Sequence, residues 1–101
     1  MLTGLWPARN GAEPNHTAKR PEVPGLIVVL RALGYEVVAI GKVAHNTWAK
    51  FYDFDFVGGP PVGCSDTTDV AKFLASRASS KPLCLFYGTH HPHTPWDQRQ
   101  R

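Results

Sequence analysis

The apolar residues of this chain change period along its length, and the changes mark its elements. Leu26, Val29, Leu30 and Leu33 recur at i, i+3, i+4 and i+7, which predicts a helix over residues 23–33. Pro24 suits the first turn of that helix, and Gly34 suits a left-handed stop. Ile27, Val28 and Val29 are β-branched and would also fit a strand, but the helical spacing and the terminal glycine decide for helix. Residues 35–40 are apolar at nearly every position, the pattern of a strand covered on both faces. Residues 46–65 read as loop, with a short edge strand possible where Phe51, Phe54 and Phe56 interleave with polar residues. Asp66 is a good N-cap for a helix to about Ser79, with Val70, Phe73 and Leu74 on its apolar face. A last apolar strand spans residues 83–87. Residues 1–25 contain Pro7, Pro14, Pro21 and Pro24 and show no sustained period, so they read as an irregular loop region ahead of an α/β part over 26–101.

Helix, strand, loop, helix, strand is the order of an α/β fold with parallel strands flanked by helices. Parallel strands point their C-terminal ends the same way, and ligands of open α/β sheets bind at that edge. Both long strands stop at a glycine and are followed by basic residues. Gly41 is followed by Lys42 and His45; Gly88 is followed by His90, His91 and His93. Neighbouring strands lie about 4.8 Å apart, so Lys42, His45 and His93 are expected to converge even with one strand between them. Such a cationic edge suits an anion like sulfate or phosphate. Lysine supplies a fixed charge, and histidine can donate to an anionic oxygen or protonate a leaving group near neutral pH. The competing reading makes Lys42 and His45 solvated loop residues.

Composition narrows the picture further. The chain has 101 residues, 43% hydrophobic and 19% charged, which is the make-up of one small globular domain. Its net charge of +3 comes from scattered Lys and Arg, without the basic stripe that nucleic-acid binding needs. No apolar run reaches membrane-spanning length, and the N-terminus lacks the basic and apolar regions of a signal peptide. Cys64 and Cys84 do not make a disulfide framework, and Cys84 in its apolar strand is expected to be a buried free thiol. Zinc on the His90, His91 and His93 run is disfavoured, because adjacent extended residues point oppositely and no cysteine lies at ligand spacing. Asp53 and Asp55 read as a solvated turn rather than a calcium site, since no third acid follows at the required spacing.

Several segments resemble the sulfatase family. Leu2, Thr3, Gly4, Pro7, Asn10 and Gly11 fit its L-T-G-x-x-P-x-x-N-G segment, which in the family closely follows the nucleophile motif C/S-x-P-S-R. Gly34, Tyr35, Gly41, Lys42 and His45 resemble its second signature, in the G-K-V-x-H form of the iduronate-type enzymes. Phe54 and Asp55 resemble the F-D segment that follows. Phe86, His90, Pro92, His93 and Pro95 resemble the F-x-x-x-H-x-P-H-x-P stretch. The resemblance covers nearly the whole chain in order, with sulfamidases and iduronate-type enzymes nearest.

What the resemblance implies is an alkaline-phosphatase-like sheet and hydrolysis of sulfate esters or sulfamates, with a sulfated small molecule or glycan as substrate. In the family a cysteine or serine becomes formylglycine, whose hydrate attacks sulfur while calcium holds the sulfate oxygens. By the same resemblance Lys42 would bind sulfate or the hydrate, and His45 would hydrogen-bond the hydrate. His93 would contact sulfate near the leaving oxygen, with His90 opening the same motif. Neither Cys64 nor Cys84 begins a C-x-P-S-R motif, and the paired aspartates, the later calcium ligands and a second lysine are absent from these residues. The chain therefore looks like an internal piece of a sulfatase catalytic domain that would need the remainder of that domain for activity. A non-catalytic anion-binding or interaction module and a histidine-based zinc domain are the alternatives. Cut from a larger sheet, the chain is expected to leave an apolar strand edge open at residues 37–40 or 83–86.

Overall fold

The computed structural model describes residues 2–14, 17–44, 48–59 and 67–89. Its elements in order are α1 (Pro7–Asn10), α2 (Leu26–Ala32), β1 (Glu36–Gly41), a 3₁₀ turn (Trp48–Tyr52), β2 (Phe56–Gly58), α3 (Thr67–Ser76) and β3 (Leu83–Gly88). The three strands form one parallel sheet in the order β2-β1-β3. The expected α/β class is therefore the observed one, with β1 at the centre.

β1 earns that position by sequence. Val37, Val38, Ala39 and Ile40 are at most 1% exposed, and the alternation of a strand sends them to both faces. β2 pairs with it from Val38↔Phe56 to Ile40↔Gly58, and β3 from Glu36↔Leu83 to Gly41↔Gly88. Phe56 is in register with Val38, and its ring stacks on Phe73 of α3 at 5.1 Å, which places α3 over that face. Phe86, in register with Ala39, meets Phe54 edge-on at 5.6 Å. The fully buried Ile27, Val37, Val38 and Ile40 are the core, each contributing about 1.5–3 kcal/mol of burial.

α2 is shorter than the periodicity predicts and turns a different face inward. It starts at Leu26, so Pro24 lies outside it. Ile27 is fully buried and Leu30 half-buried, whereas Leu26, Val29 and Leu33 are 45%, 53% and 69% exposed. The run Leu26 to Leu30 is apolar at every position, so its sequence marks no unique face and contact with β1 chooses one. The C-terminal stop is as expected. Gly34 adopts φ +89°, its N–H donates to the Arg31 carbonyl, and Tyr35 N–H donates to the Leu30 carbonyl. That double bond pattern is the Schellman motif.

The edge strand β2 begins only at the last residue of the aromatic run expected to hold it. Asp53, at φ +61°, turns the chain after the 3₁₀ segment, and pairing begins only at Phe56. α3 ends at Ser76, short of Ser79, and its expected N-cap Asp66 lies outside the described residues. Of the two runs expected to carry an open edge, residues 37–40 are paired on both sides, whereas residues 83–86 lie in the outer strand β3; β2 is the other outer strand. No described helix is long and apolar enough to cross a membrane.

Within the first 25 residues, one turn of helix is built from Pro7 at its first position and Gly11 just past its end at φ +90°. Asn10 is 8% exposed at the centre of a small polar knot. Its amide donates to Thr3 Oγ1 at 3.1 Å and to the Leu5 carbonyl at 3.3 Å. Its Oδ1 accepts from Ala12 N–H at 2.9 Å, and its carbonyl accepts from Arg20 N–H at 2.7 Å. Leu26 N–H donates to the Leu2 carbonyl, tying the start of the chain to the start of α2.

Candidate functional site

The site expected from sequence is the C-terminal edge of the sheet. β1 and β3 are direct neighbours and end together, with Gly41 opposite Gly88. The ladder continues one bond further, as Lys42 N–H donates to the Gly88 carbonyl at 2.8 Å. Val43 N–H then donates back to the Gly41 carbonyl at 3.0 Å, closing a three-residue turn centred on Lys42. The sequence that makes this turn is Gly-Lys, because Gly41 sits at φ +77°, where a side chain is unfavourable. Lys42 is half-buried and makes no ion pair with a described carboxylate. His45, His90 and His93 lie outside the described residues, as do Cys64 and the rest of the histidine run.

The close meeting of strand ends depends on further glycines. A Cβ at Gly88 would overlap the Lys42 carbonyl oxygen and stand 2.5 Å from its carbonyl carbon. A Cβ at Gly59 would stand 2.9 Å from Gly41 N and 3.3 Å from Ile40 Cγ2. In the sequence Gly88 reads only as the end of an apolar strand, and Gly59 as part of the Gly-Gly-Pro-Pro turn that closes the aromatic run.

Asp55 is not a solvated turn residue. Its carboxylate accepts Val37 N–H at 2.8 Å and lies 3.0 Å from Arg31 Nε. Its own N–H donates to the Val37 carbonyl at 2.9 Å, so Asp55 closes the entry end of the β1–β2 seam. Asp53 contributes only a carbonyl, which accepts from Arg31 Nη1. Among the described residues no group of three or more His, Cys, Asp or Glu is arranged to hold a metal ion. Cys84 is free and half-buried in β3 rather than fully buried, because β3 is an outer strand.

A groove of about 540 Å³ opens at the opposite, strand-entry edge, between α3 and the starts of β1 and β2. Asp69 and Lys72 line it on the α3 side, and three of its other charged walls, Glu36, Arg77 and Asp55, are paired. Arg77 Nε bonds Glu36 Oε2 at 2.6 Å, Arg77 Nη2 donates to the Lys81 carbonyl, and Arg31 holds Asp55. The groove is a seam between elements and lies away from Lys42. Nothing in the pattern of residues marks Lys19 as buried, yet it is 6% exposed, with its ammonium 5.6 Å from the centre of the Tyr52 ring.

Comparison with known proteins finds a relative along most of the chain. An ulvan-active sulfatase of Formosa agariphila is 30% identical over 99 residues, covering 92% of this chain and 19% of its own length. The chain thus spans about a fifth of the length of that relative. No protein-family model matches the chain. No solved structure matches it. The similarity, running through nearly the whole chain, supports a relationship between this chain and part of a sulfatase.

Proposed function

We propose that residues 1–101 supply the sulfate-binding edge of a sulfatase that hydrolyses sulfate esters or sulfamates. The observation that carries this reading is the joining of strand ends by the Lys42 N–H to Gly88 carbonyl bond. It brings the lysine-bearing end of β1 beside the strand from which the His90 and His93 stretch leads. The 30% identity to a sulfatase along 92% of the chain supports the choice of sulfate among possible anions.

In this reading Lys42 is the fixed positive charge on the sulfate oxygens. His45 hydrogen-bonds the attacking group, and His93 protonates or orients the leaving oxygen, with His90 beside it as a substrate-binding residue. The substrate is a sulfated small molecule or glycan. Formylglycine and calcium would be held by other parts of a sulfatase domain, since neither cysteine of this chain begins the nucleophile motif. Groups that only stabilise charge leave a residual rate without the nucleophile.

The test is a titration of the 101-residue chain with inorganic sulfate, followed by NMR, beside an assay with an aryl sulfate and added calcium. The expected outcome is sulfate binding weakened about tenfold by Lys42→Ala, with no turnover above background. Equal sulfate affinity in the variant would overturn the role of Lys42. Turnover abolished by Lys42→Ala would show that a residue within this chain acts as nucleophile. An anion-binding module without catalytic ancestry would bind phosphate as well as sulfate and lose both equally on substitution.

A further inference from the structure

A lysine can serve an anion only if its backbone is held where the anion sits. Lys42 lies one residue past the end of β1, where loops ordinarily begin. Here the chain leading into it is confined on one side and its own peptide on the other. On the β2 side, Gly59 at φ +75° lies so close that a Cβ would be 2.9 Å from Gly41 N and 3.4 Å from Gly41 Cα. On the β3 side, the Gly88 α-carbon faces the Lys42 carbonyl so closely that no Cβ fits between them. The Gly88 carbonyl meanwhile accepts Lys42 N–H at 2.8 Å. One glycine therefore contacts both ends of the Lys42 residue, its N–H by a hydrogen bond and its C=O by van der Waals contact.

We infer that Gly88 is a positioning residue for Lys42: by having no side chain it lets the two strand ends close, and that closure sets the lysine turn for anion binding. The inference rests on the proposed role of Lys42. Gly88 does not adopt a positive φ, unlike Gly34, Gly41 and Gly59. Alanine is thus compatible with its backbone conformation, and the cost of adding a methyl is the collision with Lys42. The Lys42 turn must shift away, its N–H loses the Gly88 carbonyl, and the ammonium moves with it.

Gly34 provides a matched control. It lies before β1 at the other end of the sheet, at φ +89°, and a Cβ there meets nothing within 4 Å. Gly34→Ala strains the backbone without touching the Lys42 turn. The experiment compares Gly88→Ala, Gly34→Ala and the unchanged chain by sulfate titration and by hydrogen exchange of individual amides, read by NMR. Gly88→Ala is expected to weaken sulfate binding about tenfold and to accelerate exchange at Lys42 and Val43, with Ile40 still protected. Gly34→Ala is expected to lower the melting temperature and leave both readings at Lys42 unchanged. Unaltered sulfate affinity and Lys42 exchange in Gly88→Ala overturn the inference. Should Gly88→Ala fail to fold, exchange in the unchanged chain decides: Lys42 N–H protected close to the level of Ile40 N–H supports it, and exchange at the rate of an open loop overturns it. If Lys42→Ala leaves sulfate affinity intact, the anion role of Lys42 fails separately, while the exchange readings still report whether Gly88 holds the turn.

Discussion

At the residue scale, side chains within residues 2–11 hold backbone. Asn10 is buried and makes two donor bonds and two acceptor bonds, counting its carbonyl. Thr3 receives one of them, and Gly11 leaves room for Arg20, whose Cγ would be 2.5 Å from an added Cβ. Asn10→Ala removes the side-chain partners of Ala12 N–H, the Leu5 carbonyl and Thr3 in a half-buried setting. Each orphaned group costs about 1–3 kcal/mol where water cannot replace the partner. The expected outcome is a fall of that order in unfolding free energy, read as a lower urea midpoint at unchanged slope; a midpoint equal to that of the unchanged chain would show that the knot is dispensable. The position of Lys42 at a strand end was readable because the apolar run stops at Gly41, where β1 ends. The burial of Lys19 was not readable, because its Tyr52 ring comes from a distant segment and composition registers only a scattered cation.

At the element scale, the sheet shows which signals survive folding. β1 was legible since an apolar run between Gly34 and Gly41, broken only by Glu36, fits a strand buried on both faces. The buried face of α2 was not, because apolar residues surround the helix and only the neighbouring sheet selects Ile27 over Leu26. β2 starts only at the end of the aromatic run because its register is fixed by Asp55, a polar residue that binds both the N–H and C=O of Val37. That assignment predicts a graded response. Asp55→Ala leaves the buried Val37 N–H without its acceptor and releases Arg31, a loss of about 1–3 kcal/mol. Asp55→Asn keeps an oxygen for Val37 N–H and surrenders only the exposed ion pair, for which about 0–1 kcal/mol is expected. Chemical denaturation of the two variants checks the order. Equal losses would place the stabilisation in the ion pair and not in the cap on β1.

At the scale of the whole molecule, extents of 44 × 38 × 16 Å describe a slab with much apolar surface left outside. Leu26, Val28, Val29 and Leu33 on or beside α2 are all more than 40% exposed, as are Phe56 and Val57 on the outer strand β2 and Leu74 on α3. Continuous apolar patches on a single soluble domain seldom go uncovered. An outer strand carrying such residues also presents backbone groups that another chain can pair with. The central run at residues 37–40 is protected by two neighbours, so association should proceed through the α2 face and the β2 edge. The prediction is that the 101-residue chain sediments as a monomer only when dilute and forms larger species as concentration rises. Val29→Lys with Leu33→Lys should shift that equilibrium toward monomer. Both positions are more than half exposed, so each substitution should change the unfolding free energy by no more than about 0.5 kcal/mol. Val57→Lys on the β2 edge measures the other route, since a charge on an edge strand opposes pairing. Sedimentation velocity across a concentration series separates the two. Monomer at every concentration in the unchanged chain would overturn the prediction. Association unaffected by the paired α2 substitutions but relieved by Val57→Lys would assign the contact to the strand edge alone.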